Sequence, residues 1–137
     1  MKIDGGLRST FREHLPLVHW VPVETGLTMS GVPDHNGCYA RSEFWVEYKN
    51  APTGRIKKNK TTPFQISWHE RRARSGGRTF LAARWGEAIH LYRGEDIRVI
   101  YTEGLGRTDL ALLIGHGGPS KWNWEAILSI LVGRYKT

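Results

Sequence analysis

The sequence predicts an α/β fold: a single domain in which a central mixed β-sheet is flanked by helices. Two observations predict it. Segments with helical and strand periodicity alternate along the chain in the order helix, three strands, helix, two strands, helix. No repeat or linker-like stretch interrupts the 137 residues, of which 39% are hydrophobic, so we expect one core within a domain spanning 1–137.

The N-terminal third is predicted to hold one helix and three strands. The amphipathic segment 7–15 indicates a short helix that ends at a proline. Residues 18–24 alternate weakly, as in a strand, and 33–39 and 43–49 are expected to pair as a β-hairpin around a turn at 40–42. The second hairpin strand alternates most clearly, and three of its apolar side chains share one face: Phe44, Val46 and Tyr48.

A helix N-terminus is predicted at Thr62, which is followed by proline at the first helical position and by Gln65 at the third. This pattern is typical of a capping box. The helix should cover 63–75 and end at a glycine pair. Phe64 and Trp68 are four residues apart, so we expect both to pack on the sheet.

The remaining elements are two strands, an ambiguous segment and a final helix. Residues 78–84 and 88–92 read as strands around a turn at 85–87. Residues 96–102 fit a helix or a strand equally well. Residues 122–135 predict a helix that is apolar around most of its circumference, as expected for a buried helix.

The charge balance favours a polyanionic partner. The chain has 20 Lys and Arg against 13 Asp and Glu, a net charge of +7, and nucleic acid is the commonest polyanion in cells. A basic surface that serves only solubility is the alternative. The basic residues concentrate in two clusters: Arg55, Lys57, Lys58 and Lys60, and Arg71, Arg72, Arg74 and Arg78.

The sequence points to a soluble protein inside the cell. It has no apolar run long enough for a membrane span, and its first six residues lack the apolar segment of a secretory signal. Cys38 is the single cysteine, which excludes an internal disulfide and a cysteine-based zinc site. The six histidines show no metal-ligand spacing. We therefore expect a cytoplasmic location.

Three residues of the hairpin form a candidate catalytic cluster. Glu47 and Lys49 are two residues apart in one strand and therefore project to the same face, which Asp34 can reach from the neighbouring strand. Two nearby carboxylates repel each other unless a cation lies between them, and their oxygens suit Mg²⁺ or Mn²⁺. Lys49 could then stabilise the charge of a phosphate. An exposed surface salt bridge is the alternative reading.

These residues belong to a pattern that resembles a known family. The segments Gly-Val-Pro-Asp at 31–34, Phe-Trp-Val-Glu-Tyr-Lys-Asn at 44–50 and Gln-Ile-Ser-Trp at 65–68 resemble the PD-(D/E)xK nuclease superfamily, and in particular its VRR-NUC branch and similar small phage nucleases. The resemblance covers about residues 24–84. It implies a core like that of the restriction endonucleases.

The resemblance also implies roles for five residues. Asp34, Glu47 and the backbone carbonyl of Tyr48 would bind Mg²⁺ or Mn²⁺. Lys49 would be the catalytic lysine. Gln65 would be the active-site glutamine, although a helix-capping role would account for it as well.

Other parts of the chain would complete the site. Sites of this family often include a further upstream glutamate, which could be Glu24 or Glu13. The loop after the lysine departs from the usual family pattern and continues into a basic run, so its contacts with substrate stay open. We expect DNA to contact five basic side chains: Arg55, Lys57, Lys58, Lys60 and Arg72.

The expected function is that of a Mg²⁺- or Mn²⁺-dependent DNA endonuclease. Relatives implied by the resemblance cut branched DNA such as Holliday junctions and act as homodimers, and a phage-encoded protein working in a bacterial host fits this pattern. The sequence shows no motif that reads bases, which favours selectivity for DNA structure. Two alternatives remain: a nuclease for duplex, nicked or single-stranded DNA, and a non-catalytic basic DNA-binding protein on the same fold.

Overall fold

Six strands form one mixed sheet in the computed structural model of the protein, which describes residues 4–23 and 31–133. The strands are β1 (His19–Pro22), β2 (His35–Tyr39), β3 (Ser42–Asn50), β4 (Thr79–Trp85), β5 (Ala88–Arg93) and β6 (Leu113–Gly115). They lie in the sheet in chain order, and every neighbouring pair is antiparallel except β3 and β4, which are parallel. The predicted α/β class with a central mixed sheet is confirmed.

Four α-helices among these described residues cover the two faces of the sheet. They are α1 (Leu7–His14), α2 (Pro63–Arg74), α3 (Ile97–Glu103) and α4 (Trp124–Val132). The helix α2 connects the parallel strands β3 and β4. The helices α1 and α4 pack on one face and contribute to a first core, whereas α2 and α3 lie on the other face over a second, smaller core.

The alternation of β3 separates these two cores as the sequence predicts. Phe44, Val46 and Tyr48 are buried in the first core, against α1 and α4. Glu47 and Lys49 therefore face the second core, beneath α2 and α3. The candidate catalytic residues are thus on the sheet face that the crossover helix covers.

The predicted hairpin is confirmed, and β2 and β3 join through a two-residue turn. Ala40 and Arg41 have φ angles of 52° and 66°, so both adopt the left-handed conformation. Two central residues with positive φ are typical of the tight turns that match the twist of a hairpin.

The start of α2 is also predicted correctly, but one of its packing assignments is wrong. The Thr62 hydroxyl accepts a hydrogen bond from the Gln65 amide at 3.1 Å, and Trp68 is buried. Phe64, in contrast, is 61% exposed. The buried residues of α2 are Trp68 and His69, so the middle of its buried face lies between them. Because a helix turns about 100° per residue, Gln65 points close to this middle, whereas Phe64 points about a quarter turn away from it.

The C-terminal third differs most from the prediction. The ambiguous segment 96–102 is the helix α3, because Ile97 and Ile100 are buried against the second core. The three-residue strand β6 was not predicted. The final helix is shorter than 122–135: Asn123 caps its first turn through a bond from Ala126 N, and Gly133 ends it in the left-handed conformation. Residues 134–135 of that prediction, and residue 24 of the first predicted strand, lie outside the described residues.

Candidate active site at the end of strand β3

Asp34 is positioned by the point at which β2 begins. His35, the first residue of β2, pairs with Val46, so β2 offers Tyr48 no backbone partner. The side chain of Asp34 takes that place, and its Oδ2 accepts a hydrogen bond from the Tyr48 amide at 2.9 Å. Since the N–H and C=O of one strand residue point the same way, the Tyr48 carbonyl also faces the Asp34 side of β3.

Glu47 and Lys49 form a buried ion pair beside Asp34. Their side chains are only 4% and 10% exposed, and Lys49 Nζ lies 3.4 Å from Glu47 Oε2. The same ammonium group donates a hydrogen bond to the backbone carbonyl of Lys60. The alternative of an exposed surface salt bridge is therefore wrong, because α2, α3 and the segment before α2 cover this part of the sheet.

The protonation of Glu47 reflects how closely the two carboxyl groups approach each other. Burial raises the pKa of Glu47 to about 8, and the charge of Asp34 and a hydrogen bond between the two carboxyl groups add to the increase. Lys49 acts in the opposite direction. A cation bound between the two carboxyl groups would favour the charged form of Glu47 and so lower this pKa again.

Gln65 reaches this cluster through Tyr101 of α3. The Tyr101 hydroxyl donates to Gln65 Oε1 at 2.6 Å, and Lys49 Nζ lies 5.7 Å from the centroid of the Tyr101 ring. Burial and the charges of Glu47 and Asp34 raise the pKa of Tyr101, which keeps its hydroxyl protonated and able to donate. The backbone amide of Gln65 donates to the helix cap, whereas its side chain, which a capping box would direct to the Thr62 amide, binds Tyr101 beside the cluster instead.

The residues present fit a hard divalent cation. Asp34 and Glu47 supply carboxylate oxygens, and the Tyr48 carbonyl faces the same side of β3. Within the described parts of the chain, no three or more His, Cys, Asp or Glu side chains converge on one point. Two carboxylates are nevertheless sufficient for Mg²⁺, which keeps several waters and takes substrate phosphate oxygens as further ligands.

The two candidates for an upstream glutamate have different outcomes. Glu24 lies outside the described residues. Glu13 is exposed on α1, and α1 packs on the first core, whereas Glu47 and Lys49 face the second. The structure does not bring Glu13 to the cluster, because the sheet lies between them.

The five basic residues proposed to contact DNA occupy different environments. Lys57, Lys58 and Lys60 are exposed, and the last two belong to a short 3₁₀ turn at the edge of the cluster. We refer to these three residues as the basic turn. Its position is fixed by the bond from Lys49 to the Lys60 carbonyl.

Arg55 and Arg72 are exposed as well, and both also make contacts within the protein. Arg55 donates to the carbonyls of Thr102 and Glu103, at 2.7 Å and 3.2 Å, and so caps the C-terminus of α3. The guanidinium of Arg72 lies over two tryptophan rings, 5.3 Å from the centroid of Trp45 and 4.8 Å from that of Trp68.

Three residues near the cluster were not identified from the sequence. Tyr101, which binds Gln65, falls in the segment 96–102 whose secondary structure the sequence left ambiguous. The guanidinium of Arg8 lies 4.0 Å from Asp34 Oδ1, but the two residues are distant in sequence, so no local pattern relates them. His69 is fully buried. It hydrogen bonds through Nδ1 to the Thr79 hydroxyl, while its Nε2 has no partner in the described structure. Its spacing of four from Gln65 could have indicated that both share one helix face.

Comparison with known proteins does not add to these observations: no model of a protein family matches the chain, and a search of curated proteins finds no match. Among the residues that the structure describes, no helix is long and apolar enough to cross a membrane.

Proposed function

We propose that the protein is a divalent-metal-dependent DNA endonuclease of the PD-(D/E)xK type. The observation that carries the proposal is the cluster at the end of β3, where two carboxyl groups, one of them buried, meet a buried lysine beside an exposed basic turn. Carboxylates, a lysine and surrounding positive charge are the groups needed to bind and hydrolyse a phosphodiester.

Each residue of the cluster has a role in this proposal. Asp34, Glu47 and the Tyr48 carbonyl hold a Mg²⁺ or Mn²⁺ ion. The bound cation supplies Lewis-acid activation of the phosphate and lowers the pKa of a water nucleophile. The Lys49 ammonium stabilises the negative charge that develops on the phosphate. Gln65, whose side chain is held by the Tyr101 hydroxyl, orients the water nucleophile or a ligand at the edge of the cluster.

We further propose that the substrate is branched DNA and that the enzyme is a homodimer. Two symmetric cuts across a four-way junction need two sites related by a two-fold axis. The sequence pattern around Asp34 and Glu47 supports this choice, as does the lack of a motif that reads bases. The single cysteine agrees with action in the reducing cytoplasm, where a phage-encoded nuclease would meet such DNA.

A panel of labelled DNAs tests the proposal: a four-way junction, a flap, a nicked duplex, an intact duplex and a single strand, each incubated with Mg²⁺, Mn²⁺ or EDTA. We expect cleavage of the junction with either metal and none in EDTA. If the other DNAs were cleaved at the same rate as the junction, the protein would be a nuclease without selectivity for junctions. Binding without cleavage of any DNA would favour a non-catalytic DNA-binding protein.

A further inference from the structure

Phe64 is a large apolar side chain in an unusual position. It is 61% exposed, although it belongs to the first turn of α2, directly before the residue that faces the cluster. Single exposed apolar residues are common and need no explanation by themselves. The surroundings of Phe64 distinguish it from the others.

One contact of Phe64 itself and two contacts of residues near it in the chain place Phe64 at the rim of the candidate active site. The loop that carries Asp34 approaches its backbone so closely that a Cβ on Gly31 would lie 2.2 Å from the Phe64 carbonyl oxygen. The next residue, Gln65, binds Tyr101 below Lys49. On the other side, the basic turn ends at Lys60, whose carbonyl binds Lys49.

The rim therefore combines an exposed aromatic ring with exposed positive charge. Lys57, Lys58 and Lys60 are exposed and lie four to seven positions before Phe64 in the chain, and the Lys60 carbonyl accepts a hydrogen bond from Lys49 of the cluster. An aromatic ring beside lysines is the combination with which proteins bind unpaired nucleotides: the lysines contact phosphates, and the ring stacks on a base. A base inside a continuous duplex is stacked on both faces and offers neither of them to such a ring.

We propose that Phe64 stacks on a base that has lost a stacking neighbour in the DNA bound at this site, so that the preferred substrate carries an unstacked nucleotide beside the phosphate that is cut. This inference rests on the proposed nuclease function and specifies its substrate class. Since every base has an aromatic face, the stacking selects for DNA structure and tolerates any sequence.

Binding measured in EDTA, where cleavage does not occur, tests the inference. The probes are a duplex with a short single-stranded gap that contains 2-aminopurine and the same duplex with the gap filled. The proteins are the wild type, Phe64→Ala, Phe64→Trp and, as a control, Leu17→Ala, which removes another exposed apolar side chain, 75% exposed, between α1 and β1.

We expect Phe64→Ala to lose about tenfold in affinity for the gapped probe, the size of a typical base-stacking contribution, with no change for the filled duplex. Phe64→Trp and Leu17→Ala should bind as the wild type does, and quenching of 2-aminopurine should disappear only in Phe64→Ala.

The inference would be overturned if the ratio of the affinity for the gapped duplex to that for the filled duplex were the same in the wild type and in Phe64→Ala. Cleavage by the wild type with Mg²⁺, measured on the same preparations, separates this result from failure of the nuclease proposal. If the wild type cleaves DNA and the ratio is unchanged, only the stacking is wrong. If it binds neither probe, the stacking is wrong, and the nuclease proposal is wrong as well if the wild type also cleaves no DNA. If Phe64→Ala changes the ratio of the two affinities but the wild type cleaves no DNA, the stacking proposal stands and the nuclease proposal is contradicted.

Discussion

Lys49 is held on three sides, which explains how an ammonium group can lie beneath two helices. Glu47 Oε2 lies 3.4 Å away, the Lys60 carbonyl accepts a hydrogen bond, and the Tyr101 ring is 5.7 Å from the nitrogen. A buried charge without such partners would be strongly unfavourable. The same contacts aim the ammonium at the carboxyl pair, where we propose that the phosphate reacts.

Replacing Lys49 by alanine tests whether this lysine acts in catalysis. Lys49→Ala keeps both carboxyl groups, so the metal ion should still bind, and we expect DNA affinity to change little. Removing a cation that acts on charge formed in the transition state should cost about 3 kcal/mol, a loss of about a hundredfold in cleavage rate. Lys49→Arg should restore little of it, since the guanidinium is larger and planar.

Single-turnover cleavage and DNA binding, measured together, check this prediction. Wild-type rates in Lys49→Ala would exclude a catalytic role. Loss of folding, seen by circular dichroism, would mean that Lys49 is a structural partner of Glu47.

His69 predicts a sensitivity of the fold to acid. Burial and the charge of Lys49 lower its pKa from 6.5 to about 3. The unfolded chain therefore binds the proton more readily than the folded protein, and the stability from His69 is complete above pH 6.5 and lost as the pH falls below it. At pH 5 the loss amounts to about 2 kcal/mol.

Thermal unfolding between pH 7 and pH 5 measures this effect. The free energy of unfolding should fall less over this range in His69→Asn than in the wild type, because the amide does not titrate. His19 is exposed, and His19→Asn serves as the control that should follow the wild type. Equal pH dependence in His69→Asn and the wild type would show that His69 is not held neutral.

Among the larger elements, the loop before β2 determines the position of Asp34. Gly31 has a φ of 87° and lies against the Phe64 carbonyl, so Gly31→Ala should introduce both backbone strain and a clash. Gly86, in the turn between β4 and β5, has a φ of 61° but open space around it. The variant Gly86→Ala therefore carries the strain without the clash.

Both substitutions should lower the free energy of unfolding by about 1 kcal/mol through the strain. Only Gly31→Ala should also slow cleavage, since the clash would displace the loop that carries Asp34. Chemical denaturation and cleavage rates of the two variants test this. Equal cleavage rates would mean that Asp34 does not depend on the contact between the loop and α2.

The basic turn is predicted to bind the DNA backbone. Replacing Lys57, Lys58 and Lys60 by alanine should weaken binding to every DNA sequence and reduce the slope of log affinity against log salt by up to about three. The control removes the same charge at three exposed residues on α1, at the end of β5 and before α4: Arg12, Arg93 and Lys121. Equal slopes in the two triple variants would show that the turn makes no specific phosphate contacts.

At the scale of the whole molecule, local patterns predicted the elements that organise the site. The alternation of β3 separated Tyr48 from Glu47 and Lys49 correctly, because side chains of a strand alternate whatever the sheet contains. The capping residue Thr62 fixed the start of α2 for a similarly local reason. These two elements carry most of the candidate site.

Features that depend on distant contacts could not be predicted in this way. The strand β6 has only three residues and exists through its pairing with β5, where Ile89 lies opposite Gly115. The segment that became α3 is helical because Ile97 and Ile100 pack on the second core. The contact between Tyr101 and Gln65 follows from that packing and joins residues 36 positions apart.

Cleavage by Asp34→Ala and Glu47→Ala, with Mg²⁺ and with Mn²⁺, tests the central claim most directly. Glu43→Ala is the matched control, since Glu43 is exposed on the same strand. We expect neither site variant to cut DNA, both to bind it at least as tightly as the wild type because negative charge near the phosphate is removed, and the control to cleave normally. Cleavage at the wild-type rate by either site variant would contradict the assignment of the active site.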